Sequence, residues 1–554
     1  MKRQLTILCL AASVFTAVSC NSLLDLTPRD RISDIVMWND VQSAEYAVND
    51  ITSYTYDIFA AWPSSVGLTE AFTDELKYGS YVNFAYALIP SQVAYGGTNL
   101  TNNFVDVYLG CWGSLYSAIR RTNEAINNLH KLGGNLPAAD TERLEGELLL
   151  MRGWLYFELV KRYKEVILYD EDLTSIKADK ELSTEEQGWD FIENDLKTAA
   201  SKLPVRSAAA GRLDKGVAFA VATRAMLYAG RNQAVVDAAD SLAALGYSLE
   251  TNYADAFKKT LADGNKETIL QYSWSYSDNI THEFDFYYTP GGDYALLGQI
   301  GGGYGTPTQE MVESYEYATG GKPDWSVWHG TTTTDPPYSL LEPRFQATIL
   351  YNGASWKGRT IEPYVGGTDG FCTWNREPQP NGRTTTGYYL RKMVDEDHDI
   401  SKRSQSTQPF VILRYGEVLL NKAEACYRLG KTDLANDAVR AIRTRVGLPY
   451  TNQNGDALWT AIRQERRIEL AYEGLWYWDL RRWGDADKAY PQGLNDYQVH
   501  GLKIEKDGST GAFTYKYVSV DDQNRNFPAK MYRFPLPESE INSNSKVNQY
   551  PEWN

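Results

Sequence analysis

The chain has 554 residues, 43% of them hydrophobic, and a formal charge of -16. Its length exceeds one compact core, so a composite body or two closely joined subdomains is expected. The acidic balance and the lack of any long Lys or Arg run exclude a sustained nucleic-acid role, which needs clustered cations to release phosphate counterions.

The amino terminus reads as a processed leader, residues 1–19. Lys2 and Arg3 form its positive end, 5–17 is mostly apolar, and Ala17-Val18-Ser19-Cys20 closes it. It is too short to span a bilayer. The small residues before Cys20 resemble a lipobox, which implies lipid on that cysteine and a membrane anchor; ordinary secretory cleavage is the plainer alternative. Residues 20–40 then serve as anchor and tether. Of the other cysteines, Cys9 leaves with the leader, and Cys111, Cys372 and Cys426 show no metal-ligand spacing. Neither a metal nor a cofactor is expected.

Helical periodicity dominates from 41 to 246, with helices predicted over 41–60, 105–132, 143–163 and 184–203. The last starts at the capping-box-like Ser183-Thr184-Glu185-Glu186 and stops at Pro204. A helix pair, 216–229 and 232–245, turns at Gly230-Arg231, and a second, 415–429 and 433–446, turns at Gly430. Small residues around these turns look like a degenerate tetratricopeptide unit. Between 247 and 410 glycines accumulate and helical periodicity weakens, so this stretch reads as a loop-rich insertion with short strands. Long loops on a rigid frame are where binding residues gather. The scaffold resumes over 411–484, and 485–554 forms a C-terminal extension with a strand at 515–520.

Several patterns invite chemistry. Gly301-Gly302-Gly303-Tyr304-Gly305 lacks the Lys-Ser or Lys-Thr of a phosphate loop and is expected to shape a turn before a helix at 308–317. Asp395 to Asp399 lacks the spacing of a calcium loop and reads as a solvated acidic loop. Two aromatic-polar groupings fit a glycan, whose apolar C–H faces and hydroxyl edges need aromatic platforms with carboxylates and amides. The first holds Asp74, Tyr78, Tyr81, Tyr95 and Asn99; the second holds Tyr288, Trp325, Trp328 and Trp374, with Tyr287 and Trp356 beside them.

The most informative stretch is 462–484, IRQERRIELAYEGLWYWDLRRWG. Ile468, Ala471, Leu475 and Trp478 recur at helical spacing, while Glu465, Glu469 and Glu473 stack at i, i+4. Like charges so placed repel, and the column calls for cations from elsewhere, such as Arg414, Arg481 or Arg482. An ion-pair seam between helices is therefore expected. A catalytic carboxylate pair is the sharper alternative, but adjacent Arg466 and Arg467 would lower the pKa that a general acid needs raised.

Residues 463–484 also resemble the signature helix of the SusD/RagB family of surface lipoproteins, in which an RxERRxEL run leads into W-D-L-R-R-W. Residues 414–429, RYGEVLLNKAEACYRL, and 534–551, FPLPESEINSNSKVNQYP, extend the resemblance in the right order. It implies a mostly α fold, a tetratricopeptide-like helical-pair scaffold with a large loop-rich insertion containing short strands. It further implies a lipid-anchored protein on the outer face of the outer membrane, capping a SusC-like TonB-dependent transporter. Such proteins present oligosaccharides to the transporter, or in some members peptides, without catalysis. By position along the chain, the family's ligand site falls on 74–95 and on the insertion.

Overall fold

The computed structural model describes residues 34–59, 69–79, 109–174, 179–207, 211–372, 383–402, 405–488, 498–520, 527 and 529–554. In the first half of the chain the apolar spacing becomes long helices: α1 (Val41–Phe59), α2 (Trp112–Leu132), α3 (Ala138–Tyr163), α4 (Glu185–Lys202), α5 (Lys215–Tyr228) and α6 (Asn232–Ala244). Helix α3 starts earlier than its periodicity suggests, after Pro137 and with Asp140 in the first turn, where an acid favours the positive helix end. Helix α4 carries the expected capping box, closed by Gln187 rather than by a glutamate: the Thr184 hydroxyl accepts from the Gln187 N–H while the Gln187 side chain accepts from that of Thr184.

Helix α3 is the axis of this half, buried on most of its length between α2 and α4. Close approach needs small residues at the crossing. A Cβ on Gly188 would stand 2.8 Å from Val160 Cγ2. Across the same interface the Arg152 guanidinium forks onto both oxygens of Asp195 at 2.8 Å and donates to Asn123 Oδ1 at 2.9 Å, linking α2, α3 and α4.

The predicted pairs are present and share a turn. Arg231 N–H donates to Met226 O (2.9 Å) around Gly230 at φ 69°, and Lys431 N–H donates to Cys426 O (2.8 Å) around Gly430 at φ 70°. Glycine takes that left-handed backbone without strain. The second pair, α7 (Tyr415–Arg428) and α8 (Thr432–Arg445), stacks on the first through α7, which packs against both α5 and α6.

Strands are short. They include β1 (Leu76–Tyr78), β2 (Thr268–Tyr272), β3 (Gly305–Pro307), β4 (Phe410–Arg414), β5 (His500–Lys506) and β6 (Phe513–Ser519). Strands β2 and β4 pair antiparallel, Tyr272 opposite Phe410 and Thr268 opposite Arg414, so the loop-rich stretch leaves and rejoins the scaffold at one place. The helix expected over 308–317 is confined to Gln309–Val312, after which the chain turns and Tyr317 bridges to Leu341. Strand β6 pairs with β5 and with Thr331–Thr332.

The signature stretch is two helices, not one. Helix α9 (Gly455–Glu469) ends before an elbow where Tyr472 takes φ 62° and Gly474 φ 75°, and α10 (Trp476–Trp483) follows. The elbow carries Glu473 out of the helical column, yet all three glutamates meet cations. Arg414 donates to Glu469 Oε1 and Glu267 Oε1 (2.7 Å each), to both oxygens of Glu473 (2.7 and 2.6 Å) and to the Glu469 carbonyl (2.7 Å). Arg344 reaches Glu342 (2.6 Å), Glu465 (2.7 Å) and Glu469 (3.3 Å). Arg445 holds Glu267 and Glu469, Arg443 holds Glu465 and Glu316, and Lys392 holds Glu473. Of the cations expected from sequence only Arg414 belongs to this seam. Arg481 donates to the carbonyls of Met531 and Tyr532, and Arg482 to Glu424 and Asp479.

Burial raises the cost of ionising Glu469, and Arg445, Arg414 and Arg344 overcome it, holding the carboxyl far below its ordinary range. Removing one partner of such a cluster strands the others. Glu469→Gln is expected to cost about 3–5 kcal/mol, read as a lower urea midpoint with an unchanged m-value.

Candidate functional site

Strand β1 pairs antiparallel with β3, Leu76 opposite Pro307 and Tyr78 opposite Gly305, and Gly79 N–H donates to Tyr304 O (3.2 Å). A Cβ on Gly79 would lie 2.1 Å from Gly303 O and 3.1 Å from Arg383 O. Three segments distant in sequence, around 79, 303 and 383, thus meet backbone to backbone. Gly302 and Gly303 both have positive φ, and a Cβ on Gly302 would sit 2.3 Å from Thr289 O, so the glycine run makes a close turn that delivers Tyr304. Tyr304 and Tyr287 are half-buried and pair with ring centroids 4.7 Å apart. The Tyr287 hydroxyl donates to Glu283 Oε2 at 3.0 Å. The same loop exposes Leu296, Leu297 and Ile300. Half-exposed rings beside a carboxylate have the apolar-plus-polar make-up that a sugar face requires.

The elbow after α9 fixes the base of this surface. Glu70 Oε1 accepts the Gly474 N–H (2.7 Å), Arg467 pairs with Asp74 (2.9 Å) and Glu75 (3.0 Å), and the Tyr472 hydroxyl donates to the Glu75 carbonyl (3.0 Å). Asp74 is thus buried and bound to Arg467, a holding role in place of the ligand contact expected of it. Tyr78 lies in β1. Tyr81, Tyr95, Asn99, Trp374 and Cys20 lie outside the described residues.

Tyr288, Trp325 and Trp328, expected as platforms, are buried. Tyr288 stacks on Phe284 at 4.2 Å, while Trp325 and Trp328 meet edge to face at 5.3 Å and the Trp328 indole donates to Thr334 O (2.9 Å). Their faces are spent on packing. Trp356 is likewise interior, donating to Asp293. Of the ring pair, Tyr287 stood in the second expected grouping and Tyr304 did not, although Tyr304 had a local signal: it is an aromatic set directly behind three glycines. A second aromatic row, Tyr272, Trp274 and Tyr276, follows strand alternation; Trp274 lies between Tyr272 (4.5 Å) and His282 (4.4 Å), and Tyr276 is exposed.

The family model described as the SusD family matches residues 266–553, more than half of the chain. The chain belongs to the SusD family. A second model, described as starch-binding and associating with the outer membrane, matches residues 88–227. A SusD-like protein of Bacteroides ovatus is 25% identical over 100% of this chain and 98% of its own length. SusD-like protein P38 of Formosa agariphila is 25% identical over 84% of this chain and 89% of its length. Among solved structures, a SusD-like protein from Bacteroides fragilis superposes with a TM-score of 0.75 at 27% identity, covering 95% of this chain and 99% of that one. A laminarin-binding SusD-like protein has the same fold, with a TM-score of 0.58 at 22% identity over 92% of this chain and 99% of that one. The helical-pair scaffold with its loop-rich insertion is therefore the fold of this SusD family member. No described helix is long and apolar enough to cross a membrane.

Beneath the site, burial pushes the Glu70 carboxyl up to about 7 from an ordinary 4.5. The folded chain holds this proton more tightly than the unfolded one, so the group's contribution to stability is full below pH 4.5 and is lost as pH rises through 7. Glu70→Gln is expected to be more stable than the parent by about 3 kcal/mol at pH 8 and equal to it at pH 4, measured by urea unfolding at both.

Proposed function

We propose that this SusD family protein is a non-catalytic glycan-binding lipoprotein of the cell surface, which captures oligosaccharides and passes them to a SusC-like TonB-dependent transporter as its lid. The observation that carries the reading is the half-exposed Tyr287–Tyr304 pair beside Glu283, set where β1, the glycine turn and residue 383 meet. Relatives described as carbohydrate-binding support it, among them a SusD-like protein from Bacteroides fragilis and the laminarin-binding one. The starch-binding, outer-membrane description of the second matching model supports the location. Residues 80–100, which follow β1, and 373–382, which precede Arg383, hold Tyr81, Tyr95, Asn99 and Trp374, and these are proposed to complete the surface.

A hydrolytic reading finds little support. Glu465 and Glu469 are buried and saturated by arginines, with Glu469 held strongly ionised, whereas a glycosidase acid needs a raised pKa and an open approach. Lipid on Cys20 is proposed to supply the anchor, since several acyl chains at about 0.8 kcal/mol per buried methylene hold a protein durably.

The test is native affinity electrophoresis through plant, microbial and host glycans, with casein peptides as competitors. Retardation by one glycan class is expected, with no released reducing ends. Tyr287→Ala and Tyr304→Ala are each expected to weaken it by about 1–2 kcal/mol, roughly 5- to 30-fold. Binding of peptides and of no glycan would replace this reading with that of a peptide importer.

A further inference from the structure

A cavity of about 350 Å3 opens in the scaffold between the end of α3, the start of α4, Tyr228 of α5, α10 and Tyr532. Its lining is cationic and aromatic together. Lys161, Lys164, Arg481 and Arg482 contribute positive charges and Glu185 a negative one, and Trp189, Trp478 and Trp483 are among the rings. Two of the positive charges are neutralised nearby: Lys164 faces Glu185 at 3.3 Å, and Arg482 pairs with Glu424 and with Asp479, which Arg466 also holds. The others are not. Lys161, Arg162 and Arg481 all stand over the Trp478 ring, 4.4, 4.7 and 4.9 Å from its centroid. Among the described residues a single carboxylate, Glu158, pairs with this trio, 2.6 Å from Lys161 and in contact with Arg162.

Arg481 has no carboxylate partner among the described residues. It is 7% exposed, gives Nε and Nη2 to backbone carbonyls, and its Nη1 has no acceptor among the described residues. Among the described residues three basic groups share one carboxylate beside the cavity, which leaves a positive surplus in a largely buried setting where unpaired charge is costly. Cation–π contact with Trp478 relieves part of that cost. Burial, with Arg162 and Arg224 adding repulsion, draws the Lys161 ammonium down to about 7, the response of a cation short of counter-charge.

The geometry points to a binding site for an anionic sugar residue, its carboxylate or sulfate meeting Lys161 and Arg481 and its ring packing on the indole walls. The volume is within the range of small-molecule pockets, about 300–1,000 Å3, and leaves room for a ring beyond the charged group itself. A lone acidic side chain would fill little of it. This site lies on the scaffold helices and the Tyr287–Tyr304 surface on the insertion, so the two are tested by different variants.

The experiment titrates the purified protein with glucuronate and, separately, with glucose, following tryptophan fluorescence and heat. Glucuronate is expected to bind saturably and to perturb the fluorescence, with glucose at least about tenfold weaker. Arg481→Gln and Lys161→Met are each expected to weaken glucuronate by at least about tenfold. Should Arg481→Gln not fold, Lys161→Met carries the test, because Glu158 keeps Arg162 as its partner. Equal binding of the two sugars, no binding of either, or unchanged glucuronate affinity in folded Lys161→Met would overturn the inference. Binding of N-acetylglutamate amide more tightly than glucuronate would overturn it in favour of a protein side chain.

Discussion

Glu469 is fully buried and ionised, and the arginines around it come from both parts of the molecule. Arg344 belongs to the loop-rich stretch, whereas Arg414 and Arg445 belong to the scaffold helices or their approach. Glu267, Glu316, Glu342 and Lys392 extend the cluster on the loop side, and Glu465, Glu473 and Arg443 on the helix side. Hydrophobic surfaces would hold the two together in several registers, but a guanidinium with every donor assigned holds one. Arg414 shows this most fully, because three carboxylates and a carbonyl share its nitrogens. Whether the cluster adds net stability over an apolar core is a separate matter from the single arrangement it imposes.

The elbow after α9 links that cluster to the candidate ligand surface. Glu473 and Gly474 lie side by side in it; one holds Arg414 and Lys392, the other offers its N–H to Glu70. Arg467, in the last turn of α9, holds Asp74 and Glu75 at the foot of β1. A few residues therefore set both how the insertion sits and how β1 is presented to β3. The run of charged residues in this stretch is understandable as joinery between three parts of the chain.

Much of this was legible in the sequence, for reasons that also mark its limits. A column of three like charges demands counter-ions, and Arg414 was identifiable as one. Arg344, Arg443, Arg445 and Lys392 were not, because no local pattern reports which distant arginine faces a helix. The elbow was hidden because the apolar spacing continues across it while Tyr472 adopts a backbone that only its surroundings enforce. Aromatic content announced recognition, but ring composition is blind to neighbours. Trp325 and Trp328 pack on each other, and Asp74 serves Arg467. The helix pairs were clear because their turns are local and rely on glycine.

The pairing of β2 with β4 has a topological consequence. The excursion between Tyr272 and Phe410 begins and ends on neighbouring strands, so from the scaffold's side it is a closed detour whose length costs only logarithmically in entropy. Stretches of it away from Arg344, Glu316 and Lys392, which tie it to the scaffold, can be lengthened or shortened without moving the helices on which it stands. The protein is in this sense a socket with a fitting: Glu267 and Arg414, joined at the mouth of the detour, keep it seated.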